Sequence, residues 1–257
     1  MSYALITGGS KGIGKAIAIE LAKKKINILL VARTEAELQI TTTEIKRNYG
    51  VEVDYLATDL SLPHAASFVL DWCKAKKYTI HILVNNAGYG LSGLFESHTL
   101  QSNTNMLQLN MITTTQMCHT FLPMLKQQPK AYILNIASSA AYQAVPYLSL
   151  YAATKVFVLY FSRGLSHELK GSSVSVTCVS PGPTDTDFPN RAQLTEKAAK
   201  AAEKFHVPPQ QVAVAAVKAM FARKREVVTG FVNKLAAFLA WLAPKSITES
   251  TASKIYK

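Results

Sequence analysis

The chain alternates short, wholly apolar runs with longer segments in which apolar residues return every three or four positions. The first run, Tyr3-Ala4-Leu5-Ile6-Thr7, leads straight into glycines. A run without polar alternation predicts a strand buried on both faces. A helix over 12–25 follows, then a strand over 26–31, a helix over 34–48 stopped by Gly50, and a strand over 51–57. The pattern continues with a helix over 61–76 capped by Ser61 and a strand over 80–84. Next come a long helix over 100–126, a strand over 131–137, a second long helix over 148–169, and strands over 174–179 and 227–229. No linker, low-complexity stretch or internal repeat interrupts the series.

Strand–helix alternation forces right-handed crossovers and so a parallel sheet with helices on both faces. The expected fold is therefore α/β: a Rossmann-type doubly wound sheet of about seven strands in a single domain. Such sheets bind ligands beyond the carboxyl ends of their strands, where strand order reverses. Of the 257 residues 49% are apolar and 17% charged, an ordinary globular composition. The net charge of +12 is high. It raises three partner classes: nucleic acid, an anionic membrane surface and phosphate-rich small molecules. Without a basic stretch interleaved with aromatics or a helix-turn-helix, nucleic acid is set aside. Cys73, Cys118 and Cys178 are odd in number and far apart, so neither a disulfide framework nor a zinc site is expected. The six histidines lack metal-ligand spacing, and no metal is expected. No apolar run reaches the roughly 18 to 20 residues of a bilayer span, and the first strand starts too near Met1 for a signal peptide. These features predict a cytoplasmic protein.

Several strand ends carry candidate chemistry. Thr7-Gly8-Gly9-Ser10-Lys11-Gly12-Ile13-Gly14 joins the first strand to the first helix. There, glycines permit a sharp turn and close approach to a pyrophosphate, and the helix N-terminus offers free N–H groups. A ligand-free glycine turn is the bland alternative, but the strand–turn–helix context matches what such a motif requires. The second strand ends Val31-Ala32-Arg33, without the carboxylate that would hold the ribose hydroxyls of NAD. Arg33, with Lys11 as a second charge, points instead to the 2′-phosphate of NADP(H). Asp59 either accepts from the adenine amino group or caps the helix near Ser61. Asn85-Asn86-Ala87-Gly88 ends the fourth strand, where amides can tie neighbouring strand ends together.

Tyr151 and Lys155 share one helix face at i,i+4 spacing. A free tyrosine ionises too high for acid/base work, and a neighbouring ammonium would lower it. Alone the pair also reads as an exposed helical couple. Ser138, at the end of the fifth strand, adds a hydroxyl able to donate to a substrate oxygen.

Together these pieces, with Asn110 and Pro181-Gly182-Pro183-Thr184-Asp185-Thr186, resemble the short-chain dehydrogenase/reductase family from Met1 to about Gly230. The resemblance implies that Tyr151 protonates the carbonyl oxygen as hydride arrives, that Lys155 binds the nicotinamide ribose and assists Tyr151, and that Ser138 orients the carbonyl. It implies that Asn110 kinks the long helix and holds a water in a relay to Lys155. Contacts to NADP(H) are implied for Gly8, Ser10, Lys11, Gly12, Ile13, Gly14, Arg33, Asp59, Asn86, Ala87, Gly88, Tyr151, Lys155, Pro181, Gly182, Thr184 and Thr186.

Residues 1–230 are read as the catalytic domain, with a substrate lid over about 187–206 and an apolar helical extension over 231–257. The lid lysines Lys197, Lys200 and Lys204 read as a solvent face; turned inward they would favour an acyl thioester on a phosphorylated carrier. Tyr89, Leu91, Tyr142 and Tyr147 are expected around an apolar pocket. The extension is read as packing under the lid or against another subunit, with membrane-surface contact the less favoured reading. The expected function is an NADP(H)-dependent oxidoreductase on an apolar carbonyl/alcohol pair, acting as a homodimer or homotetramer. A 3-oxoacyl or other lipid-ketone reductase is the alternative, and a non-catalytic NADP(H)-binding sensor a more distant one.

Overall fold

Alternate residues of each central strand feed opposite sides of one sheet. Ala4 and Ile6 join a core with Ile28, Leu30, Ile82 and Val84, while Tyr3 and Leu5 join another with Leu29, Val31, Ile80 and Leu83. In a computed structural model that describes residues 2–203 and 206–257, the strands are β1 (Ser2–Thr7), β2 (Asn27–Ala32), β3 (Val53–Ala57), β4 (Thr79–Asn85), β5 (Ala131–Ile136), β6 (Val174–Ser180) and β7 (Glu226–Val228). They lie in the order β3-β2-β1-β4-β5-β6-β7 and pair in parallel throughout. Leu5 pairs with both Leu29 and Leu83, so the order reverses at β1 and opens a crevice between the ends of β1 and β4. This is the expected doubly wound α/β fold.

The helices are α1 (Gly12–Lys23), α2 (Glu35–Tyr49), α3 (Ala65–Ala75), α4 (Leu100–Leu107), α5 (Thr114–Lys126), α6 (Ser149–Glu168), α7 (Phe188–Arg191), α8 (Glu196–Glu203), α9 (Pro209–Phe221), α10 (Phe231–Leu242) and α11 (Lys245–Tyr256). Gly50, in the left-handed conformation, ends α2 as expected. Two sequence expectations need correction. Ser61 caps no helix: α3 begins at Ala65, because Pro63 disfavours a helical conformation at the residue before it. The helix over 100–126 is not uniform, because a π-helical turn at Gln108–Thr113 separates α4 from α5. The sequence reading missed α9, whose Ala213, Ala216, Val217 and Met220 fill the core beside α1; α10 and α11 both fall within the helical extension expected over 231–257. Cys73, Cys118 and Cys178 are free and buried.

The opposite core centres on Phe121, fully buried among residues of α3, α5 and the sheet. Phe121→Ala is expected to destabilise the fold by about 3–5 kcal/mol, measured by urea denaturation.

Candidate active site

A hydroxyl and an amide fix the crevice. Thr7 Oγ1 donates to Val84 O at 3.2 Å and accepts from the backbone N–H of Asn86 at 2.9 Å and of Ala87 at 3.1 Å. Asn86 Nδ2 donates to Thr7 O and Gly8 O, both at 3.0 Å. The glycine turn is thus clamped to the end of β4. It is also too tight for larger residues: a Cβ on Gly14 would lie 2.2 Å from Gly8 O, and Gly8 has φ +64°.

The neighbouring strand end is tied in the same way. Asn85 Nδ2 donates to Asn135 Oδ1 at 2.8 Å, and Asn135 Nδ2 donates to Ser162 Oγ on α6 at 2.9 Å. Asn110 lies in the π-helical turn, where its Nδ2 donates to Tyr89 O at 2.8 Å and Thr154 Oγ1 at 3.0 Å. Its Oδ1 accepts from the Tyr89 N–H at 3.1 Å. The kink that the family resemblance implied is therefore a π turn, aimed at the loop after β4 and at α6.

Tyr151, Lys155 and Ser138 converge on a cavity of about 1140 Å³ at these strand ends. Ser138 lies beyond β5 rather than ending it; its Oγ accepts from the Ala140 N–H at 3.1 Å and so caps a short 3₁₀ turn. Lys155 is buried and donates to Ile136 O at 3.0 Å. Burial pushes its ammonium down to about 8. Burial likewise pushes the Tyr151 phenol up to about 12, with the Ser138 hydroxyl pulling the other way and Tyr256 adding to the rise. The lowering expected from Lys155 does not govern Tyr151. Desolvation of the phenol outweighs it, and the amine, 5.7 Å from the ring centroid, turns to a carbonyl.

The same cavity is lined by Gly8, Ser10, Lys11, Gly12, Ile13, Arg33, Asp59, Asn86, Ala87, Gly88, Pro181, Gly182, Thr184 and Thr186, which brings nearly all of the expected cofactor residues together. Gly14 stands behind the turn, against Gly8 and Asn86. Lys11 is already engaged, with Glu37 at 3.5 Å and with Asp187 at the start of α7 at 3.3 Å. Arg33 is exposed and, among the described residues, forms no ion pair. Asp59 accepts from Ser61 N at 2.9 Å and Ser61 Oγ at 2.8 Å. Burial raises its carboxyl, but these bonds with Arg33 and Arg191 hold it below the usual range. Thr186 covers the turn, 3.2 Å from where a Cβ on Gly12 would sit.

The substrate end differs from expectation. Tyr142 lines the cavity, but its hydroxyl donates to Glu226 at 2.6 Å, a carboxylate that also holds Arg163. Tyr89, Leu91 and Tyr147 stand outside the lining: Arg191 sits 4.8 Å over the Tyr89 ring, Leu91 packs in a cluster under the lid, and Tyr147 is a turn residue at φ +64°. In their place come Val145, Leu148, Leu194, Phe188, whose ring centroid is 5.2 Å from that of Tyr151, and Tyr256 at the end of α11. Sequence spacing carried no sign of Tyr256, which depends on α10 and α11 folding back. Lys197 and Lys200 are exposed, Lys200 pairing with Glu196; Lys204 lies outside the described residues.

The sequence and fold have counterparts among known proteins. The family model for short chain dehydrogenases matches residues 2–197. The chain is 34% identical to mouse (Mus musculus) 17-beta-hydroxysteroid dehydrogenase type 3 over 79% of its own length and 66% of that protein's. It is also 34% identical to the very-long-chain 3-oxoacyl-CoA reductase of Anas platyrhynchos, over 70% of the chain and 59% of the relative. The chain thus matches about three-fifths to two-thirds of the length of these curated relatives. Among solved structures it superposes on a short-chain dehydrogenase from Sphingobium yanoikuyae in complex with NADPH. The TM-score is 0.82 at 28% identity, covering 93% of this chain and 92% of that one.

The depressed Lys155 pKa has a measurable consequence. Between pH 8 and 10.5 the unfolded chain retains a Lys155 proton that the folded chain has released, so stability gains a component rising with pH through that window. Lys155→Met is expected to remove that component, compared with the parent by urea denaturation at the two ends of the window. Identical pH dependence in both proteins would show that the amine titrates normally.

Proposed function

This chain belongs to the short-chain dehydrogenase family, and from that premise we propose that it is an NADP(H)-dependent oxidoreductase interconverting a secondary alcohol and a bulky, apolar ketone. The observation that carries the reading is the convergence of Tyr151, Lys155 and Ser138 on a cavity whose other end is the glycine turn.

The residues present fit a dinucleotide. Gly8 and Gly12 leave bare backbone facing the cavity, and Gly88 admits nothing larger beside Asn110 and Lys155. The unpaired guanidinium of Arg33 at the end of β2 suits a 2′-phosphate. Pro181, Gly182, Thr184 and Thr186 would close over the nicotinamide. Bound NADPH supplies the hydride that reduces the carbonyl carbon.

Ser138 donates to the carbonyl oxygen and holds it beside Tyr151. Tyr151 then transfers its phenolic proton to that oxygen as charge builds there. An alkoxide is about as basic as hydroxide, whose conjugate acid has a pKa of about 15.7. A phenol at about 12 therefore still loses its proton downhill. The forward reaction draws on the protonated phenol, and the reverse reaction on the phenolate. Lys155, 5.7 Å from the Tyr151 ring centroid, would return a proton to Tyr151 on leaving the Ile136 carbonyl, while Asn110 in the π turn holds the loop after β4 against α6.

A 3-oxoacyl reductase is the second reading, supported by the likeness to the 3-oxoacyl-CoA reductase. The outward Lys197 and Lys200 weigh against a carrier phosphate held by the lid. A sensor without catalysis has no use for a buried acid beside a buried amine. The three free cysteines fit a reducing, cytoplasmic setting. We propose homo-oligomer assembly through the long helices α5 and α6.

Tyr151→Phe is expected to bind NADPH as the parent does while losing at least a thousandfold in turnover of a bulky ketone, read by titration and by NADPH oxidation. Arg33→Ala is expected to weaken NADPH binding roughly tenfold or more and NADH binding little. Equal losses for both cofactors would remove Arg33 from 2′-phosphate recognition.

A further inference from the structure

The two sides of helix α10 differ in residue size. Inward it presents Asn233 and Ala240, both buried. Asn233 Nδ2 donates to Thr229 O at 2.9 Å, and its side chain packs where a Cβ on Gly182 would stand. Outward it presents Phe231, Leu235, Phe238, Leu239, Trp241 and Leu242, all exposed, with Phe231 at 80% and Trp241 at 72%. At 100° per residue this outer face covers an arc of about 180° that contains one charge, Lys234. The packing expected within the chain is therefore confined to the inner side of α10. Small residues seat the helix beside the cavity, where Ala236, Ala237 and Ala240 contribute to the lining. The large residues face away from the protein.

We propose that the outer face of α10 docks in the interfacial layer of an anionic lipid membrane, with the helix lying parallel to the surface. The choice of occupant rests on charge. Residues 231–257 carry Lys234, Lys245, Lys254 and Lys257 against Glu249 alone, on a chain of net charge +12. All four lysines are exposed. A two-fold pairing of this face with a second copy would bring like charges together, whereas anionic headgroups neutralise them. The helix has 12 residues, too few to cross a bilayer. A half-apolar cylinder flanked by lysines is the form that lies in the interface. Docking there sets the cavity wall formed by Ala236, Ala237 and Ala240 at the lipid boundary. The inference stands apart from the catalytic reading, and its test needs no turnover.

The test is flotation of the purified full chain with vesicles of phosphatidylcholine containing about one third phosphatidylserine, and with phosphatidylcholine alone. The expected result is flotation with the anionic vesicles, weakened by salt and at least tenfold weaker on phosphatidylcholine. Phe231→Ser/Phe238→Ser/Trp241→Ser should lose flotation by at least tenfold while keeping its thermal midpoint and its NADPH affinity. In a Trp72→Phe background, Trp241 emission should shift to the blue on anionic vesicles. Three results would overturn the proposal: parent protein that stays unbound, a triple variant that floats like the parent, or a dimer in light scattering that the triple substitution splits while vesicles bind neither form.

Discussion

The clamp of Thr7 and Asn86 on the glycine turn is the constraint on which the rest of the site depends. β1 has β2 on one side and β4 on the other, so the chain leaves its carboxyl end in one direction and that of β4 in the other. A crevice follows from topology, but its width does not. The Thr7 hydroxyl and the Asn86 amide set that width by taking up five polar groups within hydrogen-bond reach. Each is a buried or half-buried bond whose loss strands a partner, a cost of about 1–3 kcal/mol per group. The Gly14 Cβ position, 2.2 Å from Gly8 O, shows how little slack the clamp leaves.

Beyond the clamp, the site works by controlled desolvation. Holding the Lys155 amine at about 8 instead of 10.5 costs on the order of 3 kcal/mol at neutral pH. The Ile136 carbonyl offsets part of this, and the π turn at Asn110 opens α4–α5 toward the same place. The same burial that weakens the ammonium keeps the Tyr151 phenol protonated. Both effects follow from the same burial, which leaves a neutral phenol facing the cavity. The segment after β6 completes the enclosure: Lys11 reaches Asp187, Thr186 lies over Gly12, and Phe188 packs on Tyr151.

The central strands were legible because residues buried on both faces leave a mainly apolar run, unbroken over residues 3–6 and 28–32 and interrupted by His81 in β4 and Asn135 in β5. The glycine turn, Tyr151-xxx-Lys155 and Ser138 were legible because local spacing fixes what they can do. The start of α3 was misread because Ser61 resembles a cap, while Asp59 captures its N–H and hydroxyl and Pro63 delays the helix. The helix α9 has small apolar residues that carry weak periodicity, and only packing on α1 reveals its role. Lys11 looked like a free cation because its partners, Glu37 and Asp187, lie on distant elements. Tyr256 and Asn233 owe their positions to the return of α10 and α11 across the cavity, a long-range arrangement that no local pattern encodes.

The central claim is that this cavity transfers hydride from NADPH to a carbonyl carbon, with Tyr151 supplying the proton. The most direct measurement is mass spectrometry of the product formed from a bulky apolar ketone and NADPH deuterated at one face of nicotinamide C4. The account predicts an alcohol carrying a single deuterium on the carbinol carbon from one of the two labelled faces and none from the other. Tight NADPH binding without label transfer to any ketone or 3-oxoacyl thioester would contradict it.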